Sequence, residues 1–210
     1  MDTTTSTNNP QLLIVRHGPT TANDPSTEAI RGHSDIPLSN EGIEHIKQTA
    51  KFLKKSGFPI RRLLCSPLQR SMMTAQIVAD ELSAKIHPIF YLTPWSLGDL
   101  TGKSIKEVAP KMNEFQHHPD IKVPNGESYR DFYNRWTDGL ERMLQFAEEN
   151  LDQMLVGITH SRNVLALPSI LGTRQIGDVP VKGGPAPGAV IRLHKIDDDW
   201  KYQVIFEQKL

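Results

Sequence analysis

Leu12 to Val15 form an unbroken apolar run, as expected of a strand buried on both faces, and the run stops abruptly at Arg16-His17-Gly18. Comparable short runs recur at "RRLLC" and "MLVGIT", residues 61–65 and 154–159, each followed by apolar positions at helical spacing. Ser39 is placed to cap a helix whose Ile43, Ile46, Ala50 and Leu53 share one stripe, ending near Gly57. Ser66-Pro67 puts a capping residue and a first-turn proline ahead of a helix through "LQRSMMTAQIVADELS". "KIHPIF" predicts a strand near a sheet edge, because Pro88 has no amide proton to donate. From Glu127 to Asn150 a long amphipathic helix is predicted, with Tyr129, Phe132, Trp136, Leu140, Met143 and Ala147 on its buried face. "SRNVLALPSIL" reads as a helix that Pro168 kinks or ends, and "GAVIRLHKIDDDWKYQVIF" as two alternating strands around an Asp-rich turn.

Alternation of this kind predicts an α/β fold with a mostly parallel sheet. We assign residues 11–210 to a single domain and 1–10, polar throughout, to a frayed tail. Between about 93 and 126 the periodicity loosens around Pro94, Pro110, Pro119 and Pro124, which suggests a lid-like segment of loops and short helices. The 24 basic and 24 acidic residues cancel, with no block of either sign, so neither nucleic acid nor a membrane surface is the expected partner. Any attraction for an anion must be local. One cysteine, Cys65, excludes an internal disulfide and suits a reducing, cytoplasmic setting.

Three predicted strands end alike. The first ends in Arg16-His17-Gly18, the second at Ser66 with Arg70 one helical turn further on, the third at His160 with Ser161 opening a helix. In an open α/β sheet such ends meet at one edge, where helix N-termini offer free amides. Taken singly, His17 reads as an ordinary strand-end histidine, Arg70 as a surface arginine and His160 as a turn residue. Taken together they describe a compact anion site, and a phosphoryl group matches the guanidinium fork.

The order and wording of these motifs resemble the histidine phosphatase superfamily. "RHGPTTAN" is similar to its R-H-G-x-T-x-x-N signature, "DIPLSNEG" to D-x-P-L-T/S-x-x-G, and "CSPLQRSMMTA" to S-S-P-L-x-R-A-x-x-T-A. "PNGESYRDFYNR" resembles G-G-E-S followed by a helix, and "THSRN" resembles T-H-G. The resemblance runs from about Leu12 to Arg162. It implies a three-layer αβα sandwich of phosphoglycerate-mutase-like fold, no cofactor and no metal, and a small phosphorylated substrate. It also implies His17 as a nucleophile forming a phosphohistidine, with Arg16, Arg70 and His160 around the phosphate. Thr20 and Asn23 match positions of further polar contact, and Arg31, Glu127 and Ser161 complete the expected substrate-binding set. A homodimer stays open.

Two departures stand out. In "YLTPWSLGDLTGKS" the pattern usually has Glu four residues before the glycine that is Gly98, and this chain has Pro94. That Glu protonates the leaving oxygen. Asp99, Glu127, Glu28 and His33 are the candidates to replace it, Asp99 first because it shares the loop; alternatively the leaving group is weakly basic and needs no acid. In "STEAIRGHSD" Ala29 stands where the pattern commonly has Arg, with Arg31 beside the glycine, which leaves the substrate open and weakens a mutase reading. The expected activity is therefore a phosphatase acting on a phosphate ester or anhydride. Phosphoglycerate-mutase-type transfer and a non-catalytic phospholigand-binding module are the alternatives. Cys65 is read as a small buried residue, since C-x4-R is one residue short of a cysteine-phosphatase loop. His117-His118 is read as exposed loop, the aromatics of the long helix as core, and Trp95 as either pocket wall or loop anchor.

Overall fold

The computed structural model describes residues 9–23, 29–173, 175–181 and 183–208; the side chain of Asn23, the whole of Glu28 and most of the predicted tail fall outside them. Six strands form one sheet: β1 (Gln11–Arg16), β2 (Ile60–Cys65), β3 (Lys85–Pro88), β4 (Met154–Thr159), β5 (Val190–Ile196) and β6 (Asp199–Phe206), in the order β3-β2-β4-β1-β5-β6. The first four strands in that order run parallel, β5 pairs antiparallel to β1, and β6 pairs antiparallel to β5. The principal helices are α1 (Asn40–Lys55), α2 (Gln69–Leu82), α3 (Ile105–His117), α4 (Tyr129–Glu149) and α5 (Ser161–Ile170).

Side chains of β1 alternate between the two faces. Leu13 and Val15 pack with Ile46 and Leu53 of α1 and Val78 of α2, whereas Leu12 and Ile14 pack with Phe132, Trp136 and Leu140 of α4 and Val164 of α5. Helices on both faces of the sheet give the three layers expected. The aromatics of α4 are core, as read: Tyr129, Phe132 and Trp136 are fully buried. No helix among the described residues is long and apolar enough to cross a membrane.

Several elements follow their sequence signals. Ser39 caps α1 by accepting the Gly42 amide proton at 3.0 Å. Pro88 lies in β3 at a sheet edge. Asp197 and Asp198 turn the β5–β6 hairpin with φ of 49° and 70°, the left-handed pair that a tight hairpin needs. Other boundaries differ. Helix α2 starts at Gln69 rather than at Ser66-Pro67, because the Ser66 amide is still occupied by the sheet, donating to Ile158 O at 3.1 Å. Asp35, far away in sequence, supplies the cap by accepting the Gln69 amide proton at 2.7 Å. The long helix begins at Tyr129, with Ser128 as its cap in a reciprocal pair with Asp131. Pro168 sits inside α5, whose last residue is Ile170. His117 closes α3, its Nδ1 donating to Asn113 O, so the exposed histidine pair belongs to a helix end rather than a loop.

Candidate active site

Parallel register carries the strand ends to one place. Arg16 pairs with Thr159 and Cys65 with Ile158, so His17, Ser66 and His160 emerge side by side. The turn after β1 is held closely against α1: a Cβ on Gly18 would stand 2.5 Å from Ile46 Cγ1, and one on Gly42 would stand 2.0 Å from Pro19 O. Glycine at both positions lets β1 end directly beneath the helix, which answers why the apolar run gives way at once to a glycine. A cavity of about 390 Å³ opens at this edge, and Arg16, His17, Arg31, Arg70, His160 and Ser161 all line it.

His17 is 3% exposed, and its Nδ1 lies 2.7 Å from Gly18 O. A carbonyl only accepts, so Nδ1 carries the proton and Nε2 keeps its lone pair. Burial, and then the charges of Arg70, Arg31 and Arg16, hold this imidazole well below its usual 6.5, so it is neutral at physiological pH. The ring of His160 lies 5.0 Å away, tilted by 60°. Its Nδ1 accepts from Arg70 Nε at 3.2 Å, which places its proton on Nε2. Burial foremost, with His17 and Arg70, also keeps His160 neutral, and its Nε2 is buried without a protein partner among the described residues. One imidazole thus offers a lone pair and its neighbour an N–H.

Around them lie three guanidinium groups. Arg70, 1% exposed, donates Nη1 to Ser34 O at 2.6 Å and Nη2 to Gly32 O at 3.0 Å, bonds that fix its plane. Arg16 donates to Pro185 O at 2.6 Å and Arg31 to Thr20 Oγ1 at 3.0 Å. Burial and mutual repulsion bring Arg16 and Arg70 down to about 10, still charged at neutral pH. Neither Asp nor Glu lines the cavity among the described residues. Crowded guanidinium groups beside a neutral nucleophilic nitrogen can bind a tetrahedral oxyanion and accept its central atom.

Not every predicted site residue arrives. Asp99 does not line the cavity; its carboxylate accepts from Asn125 Nδ2 at 2.9 Å on the exposed side of its loop. Glu127 is committed elsewhere: its Oε1 accepts from the Ser96 amide and from Arg135 Nη2, both at 2.8 Å, tying the 93–96 segment to α4. His33 donates Nε2 to Pro94 O at 2.8 Å and stays off the wall. Thr20 is buried behind Arg31 rather than on the wall itself. Glu28 and the Asn23 side chain lie outside the described residues. Trp95 fills both roles considered for it, donating Nε1 to Glu127 O at 3.1 Å and lining the cavity. Cys65 is buried, its thiol pushed up to about 11 by burial.

Sequence reasoning missed Arg162. It lies in the first turn of α5, lines the cavity, donates to Gln116 Oε1 and Pro180 O, and sits 6.0 Å over the Trp95 ring. Its place two residues after His160, as Arg70 follows the end of β2, was the available signal. The stretch 181–185 was also unread; Gly183 and Gly184 line the cavity, with φ of 98° and 80°, and the carbonyl of Pro185 takes Arg16.

Comparison with known proteins agrees with this geometry. Residues 12–205 match the family model described as histidine phosphatase superfamily (branch 1), and the chain belongs to that superfamily. A Serratia proteamaculans protein named "Probable phosphoglycerate mutase GpmB" is 29% identical over 66% of this chain and 65% of its own length. The adenosylcobalamin/alpha-ribazole phosphatase of Escherichia coli is 27% identical over 80% of this chain and 79% of its own. The match spans just under two thirds of the first curated relatives, 65% and 66% of their lengths. Among solved structures, a mycobacterial glucosyl-3-phosphoglycerate phosphatase superposes with a TM-score of 0.75 at 23% identity, covering 93% of this chain and 98% of that one. A Bacillus anthracis phosphoglycerate mutase does so at 0.77 and 17% identity, covering 94% and 93%. At these identities the structures establish the shared fold.

Proposed function

We propose that this protein is a phosphohydrolase that transfers the phosphoryl group of a small organic phosphate to His17 Nε2 and then to water. The observation that carries this reading is the protonation pattern: His17 is neutral with Nδ1 tied to Gly18 O, beside charged Arg16, Arg31 and Arg70. Attack places the Nε2 lone pair on phosphorus while the bond to the leaving oxygen breaks. The guanidinium groups and the Nε2–H of His160 stabilise charge on the oxygens that stay with phosphorus, so positioning and electrostatics supply most of the rate. Water then attacks phosphorus, the N–P bond breaks with its electron pair returning to Nε2, and the water's proton passes to solvent.

Among relatives, the names alpha-ribazole phosphatase and glucosyl-3-phosphoglycerate phosphatase favour hydrolysis. The name phosphoglycerate mutase among others keeps transfer to a second acceptor as the alternative. Because guanidinium groups supply the positive charge, turnover is expected in EDTA, and the buried thiol of Cys65 suits a reducing cytoplasm. The deciding experiment is hydrolysis of p-nitrophenyl phosphate in EDTA by the wild type and His17→Ala, with acid-labile, base-stable phosphoprotein sought after rapid quenching. Wild-type turnover and labelling that both vanish in the variant are expected. Phosphate binding without turnover would instead indicate a binding module.

A further inference from the structure

We propose that the substrate is a phosphate monoester with a weakly basic, apolar leaving group, an aryl phosphate, and that it is cleaved without a carboxylic acid to protonate the departing oxygen. This rests on His17 as nucleophile and concerns what lies on the other side of the phosphoryl group.

The first observation is the inventory of proton donors on the wall. Among the described residues these are Arg16, Arg31, Arg70, Arg162, the Ser161 hydroxyl and the neutral His160 ring. Guanidinium groups, about 10 for Arg16 and Arg70, a hydroxyl and a neutral imidazole are all poor acids at neutral pH. The carboxylates near the site whose positions are described hold other partners: Asp99 takes Asn125, Glu127 takes Arg135 and Ser96, Asp35 takes the Gln69 amide and Glu207 the Ala186 amide. At the cavity wall itself stands Pro94, whose carbonyl is already held by His33 and Arg135.

The second observation is the remaining surface. Beyond its cations the wall consists largely of Trp95, Leu97, Ile105, Met112, Leu165 and Val181. Trp95 is almost wholly buried and its indole N–H is spent on Glu127 O, so what it presents to the cavity carries no free polar atom. A sugar or nucleoside would bring several hydroxyls to this apolar part of the wall, which offers few partners, and each left unsatisfied costs binding. An aromatic ring loses nothing there and gains apolar contact. Its conjugate anion is also stable enough to depart unassisted.

The step balances without an added reagent. The His17 Nε2 lone pair forms the N–P bond as the P–O(aryl) bond breaks, and the electron pair leaves with the phenolate oxygen, which takes a proton from solvent. Water then attacks phosphorus as the N–P bond breaks, the electron pair returns to Nε2 and the water's proton goes to solvent, giving phenol and inorganic phosphate.

A leaving-group series tests the proposal: kcat/KM for substituted phenyl phosphates, for benzyl and phenethyl phosphates of similar size, and for a nucleoside diphosphate. Rates are expected to fall steeply as the leaving group becomes more basic, with the alkyl esters slower by roughly a hundredfold to ten-thousandfold, the worth of a general acid. Pro94→Glu should narrow that gap, raising the alkyl esters relative to the aryl ones, while Asp99→Asn and Glu28→Gln keep the wild-type slope. A flat dependence in the wild type, a steeper slope in Asp99→Asn or Glu28→Gln, or faster turnover of the diphosphate overturns the proposal. None of those outcomes touches the nucleophile, which is tested separately by whether His17→Ala still turns substrate over.

Discussion

At the scale of single residues, the site separates two imidazoles by what their Nδ1 atoms touch. His17 gives its Nδ1 proton to a carbonyl, and His160 receives one from Arg70, so identical side chains are set as nucleophile and donor. Replacing His17 by Ala should reduce kcat by roughly 10⁴-fold or more, because the covalent route is lost. His160→Ala removes one donor and should cost about a hundredfold to a thousandfold. Steady-state kinetics on p-nitrophenyl phosphate, with circular dichroism to verify folding, would check both. Arg70→Lys keeps a charge but loses the three-way fork on Ser34 O, Gly32 O and His160 Nδ1. We expect a clear rise in the Kd for inorganic phosphate by calorimetry even though the net charge is unchanged. His17, Arg16, Arg70 and His160 were legible in the sequence because each follows directly from the end of a buried run or the first turn after it. That Asp99 and Glu127 do not line the cavity was not legible, because a loop carboxylate carries no periodicity: nearness in sequence to Gly98 says nothing about which way the side chain turns.

At the scale of elements, the close approach of β1 to α1 is what delivers His17. Gly42 begins that contact, since a methyl group there would meet the Pro19 carbonyl, which is backbone and cannot swing aside. Gly42→Ala is therefore expected to destabilise by about 1–3 kcal/mol or more in urea unfolding, and to lower activity by shifting the turn that carries His17. Ser39→Ala, which removes only a cap bond at the same helix end, should cost about 1 kcal/mol and leave the turn in place. If activity fell equally in both, tight packing would not be what aligns the nucleophile. Elements with a strong period, β1, β4, α1 and α4, were readable to within a residue or two. The start of α2 was not, because its cap comes from Asp35, more than thirty residues away, and no local signal announces a tertiary cap.

At the scale of the whole molecule, a chain with no net charge concentrates guanidinium groups at one sheet edge and keeps both central imidazoles neutral there. That arrangement has a direct consequence for stability against pH. Unfolded, each histidine protonates near 6.5; folded, His17 and His160 resist protonation to well below that, chiefly because burial and the arginines disfavour a further charge. Below pH 6.5 the unfolded chain binds protons that the native state refuses, so stability present above 6.5 is lost as pH falls towards the depressed folded values. Inorganic phosphate should oppose this loss, since it binds the native state alone and brings negative charge to the guanidinium groups; at a hundred times Kd it adds about 2.7 kcal/mol. Thermal unfolding between pH 7.5 and 5, with and without phosphate, gives the measurement. A falling Tm that phosphate partly restores is expected, together with a shallower fall in His160→Gln, which removes one of the two groups. A Tm independent of pH across that range would mean that the imidazoles protonate freely in the native state, and a neutral nucleophile at His17 would no longer be tenable.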